Sequence, residues 1–164
     1  MNWLKCVLSA FLFGIATPFS KELLDTVHPV LLASLFYLGA AIILLPRAFY
    51  LQMNEPVKKL SHADIKHLMG SLFFGGLTGP LFLLFGLYYT SATSASLLLN
   101  LETTATTFLS WYFFKENISK QTFIASIGIV LAGIVLTFQG NAIPGLGGIL
   151  IALACLSWGL DNNF

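Results

Sequence analysis

Four long stretches without Asp, Glu, Lys or Arg constrain this chain more than any other feature. They cover residues 6–20, 26–46, 67–101 and 121–160 of a chain of 164 residues. A helix that crosses the hydrocarbon core of a bilayer needs about 20 apolar residues. The third and fourth stretches are 35 and 40 residues long, which is enough for two crossings each. The chain is therefore expected to cross a membrane several times.

The composition supports the same class of protein. Hydrophobic residues make up 57% of the chain and charged residues 9%, whereas a soluble domain carries about 25% charged residues. Only helices and closed barrels satisfy the backbone in lipid, and the stretches lack the alternating pattern of a barrel strand. The net charge of +1 provides no basic field for nucleic acid. The sequence predicts an all-α, polytopic transmembrane helix bundle with no nucleic-acid partner.

The positions of the helices follow from where the two longest stretches can turn. We expect the first turn near Tyr88–Ser91, because tyrosines suit a membrane–water interface. The second is expected at Gly140–Gly145, which is rich in turn-forming residues. A break at Gly75–Pro80 would leave too few residues before it for a crossing, so we predict a kink inside a helix there. The predicted helices lie near residues 3–23, 30–50, 67–88, 91–114 and 121–139, with a sixth from 146.

The basic residues predict an orientation for this bundle. If the N-terminus is cytoplasmic, Lys21 lies outside and the other seven of the eight Lys and Arg residues lie inside. Those seven are Lys5, Arg47, Lys58, Lys59, Lys66, Lys115 and Lys120. Such a bias is typical of multi-pass proteins. It predicts a protein of the cell membrane (plasma or inner), with its long loop at 51–66 in the cytoplasm.

A weak internal repeat suggests that the sixth helix begins a second unit. A shift of 145 residues places Phe13-Gly14 on Trp158-Gly159. Five helices reverse the direction of the chain, so a sixth helix that is similar to the first would start an inverted repeat. Inverted repeats are common in secondary transporters.

A family resemblance is carried mainly by the fourth helix. Ser94–Thr103 reads Ser-Ala-Ser-Leu-Leu-Leu-Asn-Leu-Glu-Thr, and Trp111–Glu116 reads Trp-Tyr-Phe-Phe-Lys-Glu. Together they resemble EamA-type members of the drug/metabolite transporter superfamily, with Glu102 and Glu116 on matching positions. Thr103 departs from the family pattern, which often has proline there. Phe13-Gly14 with Thr17-Pro18, and Trp158-Gly159, resemble the starts of the family's two repeats.

The resemblance implies a ten-helix transporter built from two inverted five-helix repeats. Residues 1–139 would then form one repeat, and residues 146–164 the first helix of a second, truncated repeat. The second repeat is expected in cis, or from a second chain if this is a half-size protein that dimerises. Such proteins move small metabolites, often amino acids, drugs or sugars. The expected partners are therefore a small-molecule substrate and membrane lipid.

Glu102 is the residue to which the sequence assigns the strongest chemical role. It is predicted near the middle of the fourth helix, where a carboxylate is costly to ionise. A carboxyl group that exchanges protons at this depth could couple a gradient to substrate movement. The alternative is a structural acid that stays neutral and is hydrogen-bonded across helices. Thr106 shares its helix face, while Asn100 and Thr103 add polar groups that could line a substrate path or simply pack.

Other candidate residues lie where a helix should be irregular. Pro18 frees a backbone carbonyl in the first helix, so Thr17 and Pro18 are candidates for substrate binding. An ordinary helix exit is the alternative. Gly75, Gly76, Gly79 and Pro80 are candidates for a hinge in the third helix, and a packing kink is the alternative.

No enzymatic motif emerges from the sequence. There is no phosphate loop or Ser-His-Asp set, and the histidines lie at predicted loops or helix ends, away from Glu102. Cys6 and Cys155 lack a paired-cysteine spacing, so we expect neither a disulfide nor a metal site. We therefore expect no enzyme, no cofactor and no metal. The predicted function is an EamA-type permease, a carrier or exporter; the alternative is a non-transporting membrane scaffold or an inactive fragment.

Overall fold

The computed structural model describes residues 2–54, 60–138 and 145–164. Within these ranges the chain forms helices and short connections and contains no strand. Six helical units follow one another, which confirms the predicted all-helical class. They are α1 (Asn2–Leu23), α2 (Pro29–Asn54), α3 (His62–Tyr88), α4 (Ala92–Leu98 continuing as Leu101–Phe114), α5 (Lys120–Phe138) and α6 (Leu146–Asp161).

Three of these helices are long and apolar enough to cross a bilayer. They cover Trp3–Leu23, Pro29–Asn54 and His62–Tyr88, and two shorter apolar helices cover Lys120–Val135 and Leu146–Asp161. Large apolar side chains remain exposed along these helices; Ile43, for example, is 75% exposed. In water such a surface would drive aggregation, so lipid or further protein must cover it.

Local hydrogen bonds explain where the helices begin. Ser61 and Asp64 form a capping box, in which each side chain accepts from the other residue's backbone N–H. Ser91 and Ser119 accept from the backbone N–H groups of Ser94 and Thr122 at the starts of α4 and α5.

The helix ends correct two predicted boundaries. The capping box starts α3 at His62 rather than near residue 67, and α2 extends to Asn54 rather than residue 50. The predicted loop at 51–66 is correspondingly shorter. Residues 140–144 of the predicted turn at Gly140–Gly145 lie outside the described residues. The turn at Tyr88–Ser91 is confirmed, since α3 ends at Tyr88 and α4 begins at Ala92.

Two helices depart from regular α-helical geometry. In α3, Leu72–Thr78 forms a π-helical segment, so the predicted kink is an extra-wide turn that begins before Gly75. In α4, the helix is interrupted after Leu98 and resumes at Leu101. The prediction of one uninterrupted fourth helix was wrong. Glu102 consequently lies in the first turn of the second piece and not in the middle of a continuous helix.

Helix α6 lies at the centre of the bundle, between α3 and α4. It runs antiparallel to α3, since Gly147 lies against Gly86 while Phe164 lies against Gly70. We call the end with the 24–28 and 89–91 connections the turn end. The opposite end, where α3 begins and the 115–119 connection lies, is called the basic end. Buried apolar residues concentrate towards the turn end; they include Leu24, Leu32, Leu84, Leu87, Ala95, Leu98 and Ile151.

Candidate functional site

A polar cluster connects α6 to α4 near the basic end. The side-chain amide of Asn162 donates to Glu102 Oε1 and to Thr106 Oγ1, both at 3.2 Å. Glu102 and Thr106 therefore lie on one face of α4, as their spacing of four residues predicts. Glu102 as a whole residue is half-buried, and its carboxylate receives this bond from a different helix. A change in the charge of Glu102 would act directly on the α4–α6 contact.

The neighbouring Asn163 adds a second layer of contacts to α4. Its amide nitrogen donates to Thr106 O at 3.3 Å and to Gly159 O at 2.7 Å. Its amide oxygen accepts a hydrogen bond from Ser110 Oγ at 2.7 Å. The two residues that follow α6 are thus joined to α4 by hydrogen bonds at successive positions.

The same end of α6 also contacts the π-helical segment of α3. Trp158 Nε1 donates to Gly75 O at 3.2 Å, and Ser71 Oγ donates to the carboxylate of Asp161. A Cβ atom at Gly75 would collide with that carboxylate, so the close approach requires glycine. The carbonyl of Gly76 accepts from the Tyr37 hydroxyl of α2. Gly79 lies against the Trp158 indole. Inter-helix contacts are therefore made by three of the predicted hinge residues, Gly75, Gly76 and Gly79.

The remaining predicted site residues lie apart from this cluster. The Asn100 amide donates to Leu97 O at 2.9 Å, within its own helix, at the interruption of α4. Thr103 is exposed, and its carbonyl accepts from the Thr107 hydroxyl. Thr17 is 6% exposed and lines a cavity of about 220 Å³ with Pro80 and Trp158. Pro18, the next residue of α1, is exposed.

Sequence reasoning missed three residues that the structure brings forward. In the sequence, Asp161 and Asn162 are simply the polar end of an apolar helix. Nothing in a single sequence indicates that Asp161 contacts Ser71 or that Asn162 contacts Glu102. The third residue is Thr104, which is 5% exposed and whose hydroxyl oxygen has no hydrogen-bond partner in the described part of the chain. Five other hydroxyls on the described helices bond back to the carbonyl four residues earlier, as Ser20 does to Ala16.

The described residues offer no metal site. Within residues 2–54, 60–138 and 145–164, no group of three His, Cys, Asp or Glu residues could hold an ion. Both cysteines are free; Cys6 is exposed and Cys155 is buried, with its sulfur 3.6 Å from Leu98 O.

These observations define the class of protein: a polytopic helical membrane protein with a carboxylate and several amides at the meeting point of three helices. Comparison with known proteins gives the family. The model of the EamA-like transporter family matches residues 3–139, and the chain belongs to this family. It is a family of transporters and not of enzymes.

One curated relative extends the comparison over nearly the whole chain. A protein of Methanothermobacter thermautotrophicus, described as an uncharacterized transporter, is 26% identical over 181 aligned positions. The alignment covers 98% of this chain and 52% of that relative. The chain therefore spans about half of the length of the relative that it matches. No solved structure matches the chain significantly.

Proposed function

We propose that this chain is half of a secondary transporter that moves a small organic solute across the cell membrane. The second half would be another five-helix repeat, supplied in cis or by a second chain, with residues 1–139 as the first repeat and residues 146–164 as the start of the second. Membership of the EamA-like family supports this proposal. So does the length of the Methanothermobacter relative, of which the chain covers 52%.

The observation that carries the proposal is the position of Asn162. Its amide holds the Glu102 carboxylate of α4, while Asp161 of the same helix turn accepts from Ser71 of α3. As a carboxylate, Glu102 accepts the hydrogen bond from the amide. As a neutral acid, it would also carry a proton that can be donated. We infer that the gain or loss of a proton at Glu102 changes the strength of the α4–α6 contact. This change would couple a proton gradient to movement of the helices.

The irregular segment of α3 would supply the movement. A π-helical segment places backbone groups outside the regular pattern, and such segments are frequent at functional sites. The carbonyls of Gly75 and Gly76 accept side-chain hydrogen bonds from α6 and α2. Exchanging these bonds would let α3 bend at residues 72–78 without leaving polar groups unpaired in lipid. Thr17 and Pro80, beside the cavity of about 220 Å³, would lie on the substrate path.

The decisive experiment is solute flux after the substitution Glu102→Gln. Membrane vesicles from cells that express the gene would be tested with radiolabelled amino acids, sugars and drugs under an imposed pH gradient. We expect gradient-driven flux of at least one compound, and a loss of at least about tenfold in the variant, since the amide of Gln cannot take up and release a proton as a carboxyl group does. Glu22→Gln is the matched control, because Glu22 is exposed at the end of α1.

Two outcomes would contradict the proposal. Unchanged gradient-driven flux by a normally inserted Glu102→Gln protein would remove Glu102 from the coupling step. The absence of flux for every compound would favour the scaffold alternative. Insertion is checked by the yield of the variant in the membrane fraction and by its elution volume in detergent.

We also propose that the N-terminus is cytoplasmic. The support is the seven-to-one distribution of Lys and Arg along the sequence. An accessibility tag near residue 60 should then be labelled from the cytoplasm, and a tag near residue 142 from the outside. Labelling of both tags from one side of the membrane would show that the number of crossings between them is even, against the proposal.

A further inference from the structure

Helices α4, α5 and α6 form the walls of an apolar cleft that the polar cluster does not use. Its volume is about 650 Å³, within the range of roughly 300–1,000 Å³ that is usual for ligand sites. No charged side chain lines it among the described residues. Its aromatic wall is formed by Phe108, Trp111 and Tyr112 of α4. A site of this character takes an apolar group.

The length of the cleft matches one leaflet of a bilayer. Along α4 it extends from Leu101 to Tyr112. At a rise of 1.5 Å per residue this distance is roughly 16 Å, about half of the ~30 Å hydrocarbon core. An acyl chain that enters from one face of the membrane would fill the cleft along its length.

The cleft ends beside a polar mouth at the basic end. A second cavity of about 490 Å³ shares Phe108 and Trp111 with it and adds Asn117 and Lys120. The ammonium group of Lys115 lies 5.4 Å from the ring centroid of Tyr112, which is a cation–π contact that keeps it beside the cleft. An apolar channel therefore meets two cationic groups and one amide where α4 and α5 are connected.

We propose that the cleft and its mouth form a specific binding site for a glycerophospholipid with an anionic headgroup. One acyl chain lies between α4, α5 and α6, and the phosphate and headgroup lie at Lys115, Asn117 and Lys120. Basic pockets between membrane helices bind anionic headgroups, and each Lys near such a surface contributes about 1 kcal/mol. Trp111 and Tyr112 suit the interface between the two regions.

Other occupants fit the same observations less well. Water needs two to four polar partners, and the lining of the cleft offers almost none. A fully apolar molecule would fill the cleft but make no use of the two ammonium groups. A zwitterionic phospholipid would bring a further cation to a mouth that already carries two ammonium groups. Glu116 is the single carboxylate in the 115–119 connection.

The test is lipid titration of the delipidated, purified protein, read by native mass spectrometry. Phosphatidylglycerol and phosphatidylcholine with identical acyl chains serve as the probes. We expect one tight site for phosphatidylglycerol, with an affinity at least about fivefold higher than for phosphatidylcholine. Lys120→Gln should lower the phosphatidylglycerol affinity about fivefold, the equivalent of one lysine at a membrane surface, and leave phosphatidylcholine unchanged. Lys66→Gln, a change at an exposed lysine near the start of α3, is the control and should change neither.

A second variant tests the acyl-chain part of the site. Ala152 lines the cleft from α6, so Ala152→Phe should block the cleft and weaken both lipids at the tight site. Circular dichroism and gel filtration check that the variant is folded, and Lys120→Gln remains informative if it is not. Equal affinity of the wild-type protein for the two lipids would overturn the proposal. So would a Lys66→Gln effect equal to that of Lys120→Gln, or unaltered binding by a folded Ala152→Phe protein.

Discussion

The two ends of α6 hold it in place by different means. At the turn end, Gly147 lies against Gly86 of α3 so closely that a Cβ atom added at Gly147 would be 2.9 Å from the Gly86 carbonyl oxygen. Leu87 and Ile151 are fully buried beside this contact. At the basic end, Trp158 and Asn162 donate hydrogen bonds to α3 and α4, and Gly159 lies close to the backbone of Thr106 in α4. Against α3, the same helix is thus packed backbone to backbone at one end and bonded through side chains at the other.

This difference indicates which end can move. Between helices in lipid there is no hydrophobic driving force, so close packing of small residues supplies much of the attraction. Backbone atoms in such a contact cannot rotate away. Hydrogen bonds between membrane helices average only about 0.6 kcal/mol, because alternative partners are available. We therefore expect the turn end to act as the fixed part of the bundle and the basic end as the part that rearranges.

Substitution of Gly147 should have the largest effect on stability. Gly147→Ala places a methyl group against the backbone of Gly86 and Tyr89, and we expect a loss of about 3 kcal/mol, the upper part of the range for overpacking. Thermal unfolding in detergent measures it. Gly128→Ala in α5 is the control, since an added Cβ there meets no heavy atom within 4 Å and alanine should stabilise that helix by about 0.5–1 kcal/mol.

Substitution of Gly75 tests the other end in the same way. The methyl group of Gly75→Ala would collide with the Asp161 carboxylate, which can turn aside at the loss of its bond from Ser71. We expect a destabilisation of about 1 kcal/mol, the ordinary value of one hydrogen bond. A loss as large as that of Gly147→Ala in the same unfolding assay would break the distinction between the two ends.

Thr104 allows a gain in stability that sharpens the comparison. Its buried hydroxyl has no partner, so Thr104→Val removes an unsatisfied polar group and should stabilise the protein by about 1 kcal/mol. Thr107→Val is the control, because the Thr107 hydroxyl already bonds to Thr103 O at 2.8 Å. A lower midpoint of unfolding for Thr104→Val than for Thr107→Val would mean that the Thr104 hydroxyl is satisfied in the membrane.

Asn162 should show a small change in stability and a large change in function. Asn162→Leu removes the bonds to Glu102 and Thr106, for an expected loss of about 0.6 kcal/mol per bond. If proton exchange at Glu102 acts through this amide, the variant should lose the dependence of solute flux on the pH gradient. Gradient-driven flux that persists in folded Asn162→Leu protein would leave the basic end without a role in coupling.

The sequence was most informative where the cause of structure is local. Uncharged stretches and short polar breaks located six helices, and the turn at Tyr88–Ser91 agrees with the capping of α4 by Ser91. The start of α3 was placed too late because a capping box at Ser61 and Asp64 overrides the polar character of the residues that follow. The interruption after Leu98 was missed because Leu99 and Asn100 carry no proline or glycine signal.

The sequence by itself determined that this chain is a helical membrane bundle and that Glu102 and Thr106 share a helix face, because hydropathy and a period of 3.6 residues act within one helix. Only the tertiary structure decided that Asn162 bonds to Glu102, that Asp161 fills the space left by Gly75, and that α6 lies between α3 and α4. Each of these contacts joins residues more than 50 positions apart in the chain. In lipid, the choice of neighbouring helix depends on the fit of small residues and polar groups across an interface, which no single stretch of sequence contains.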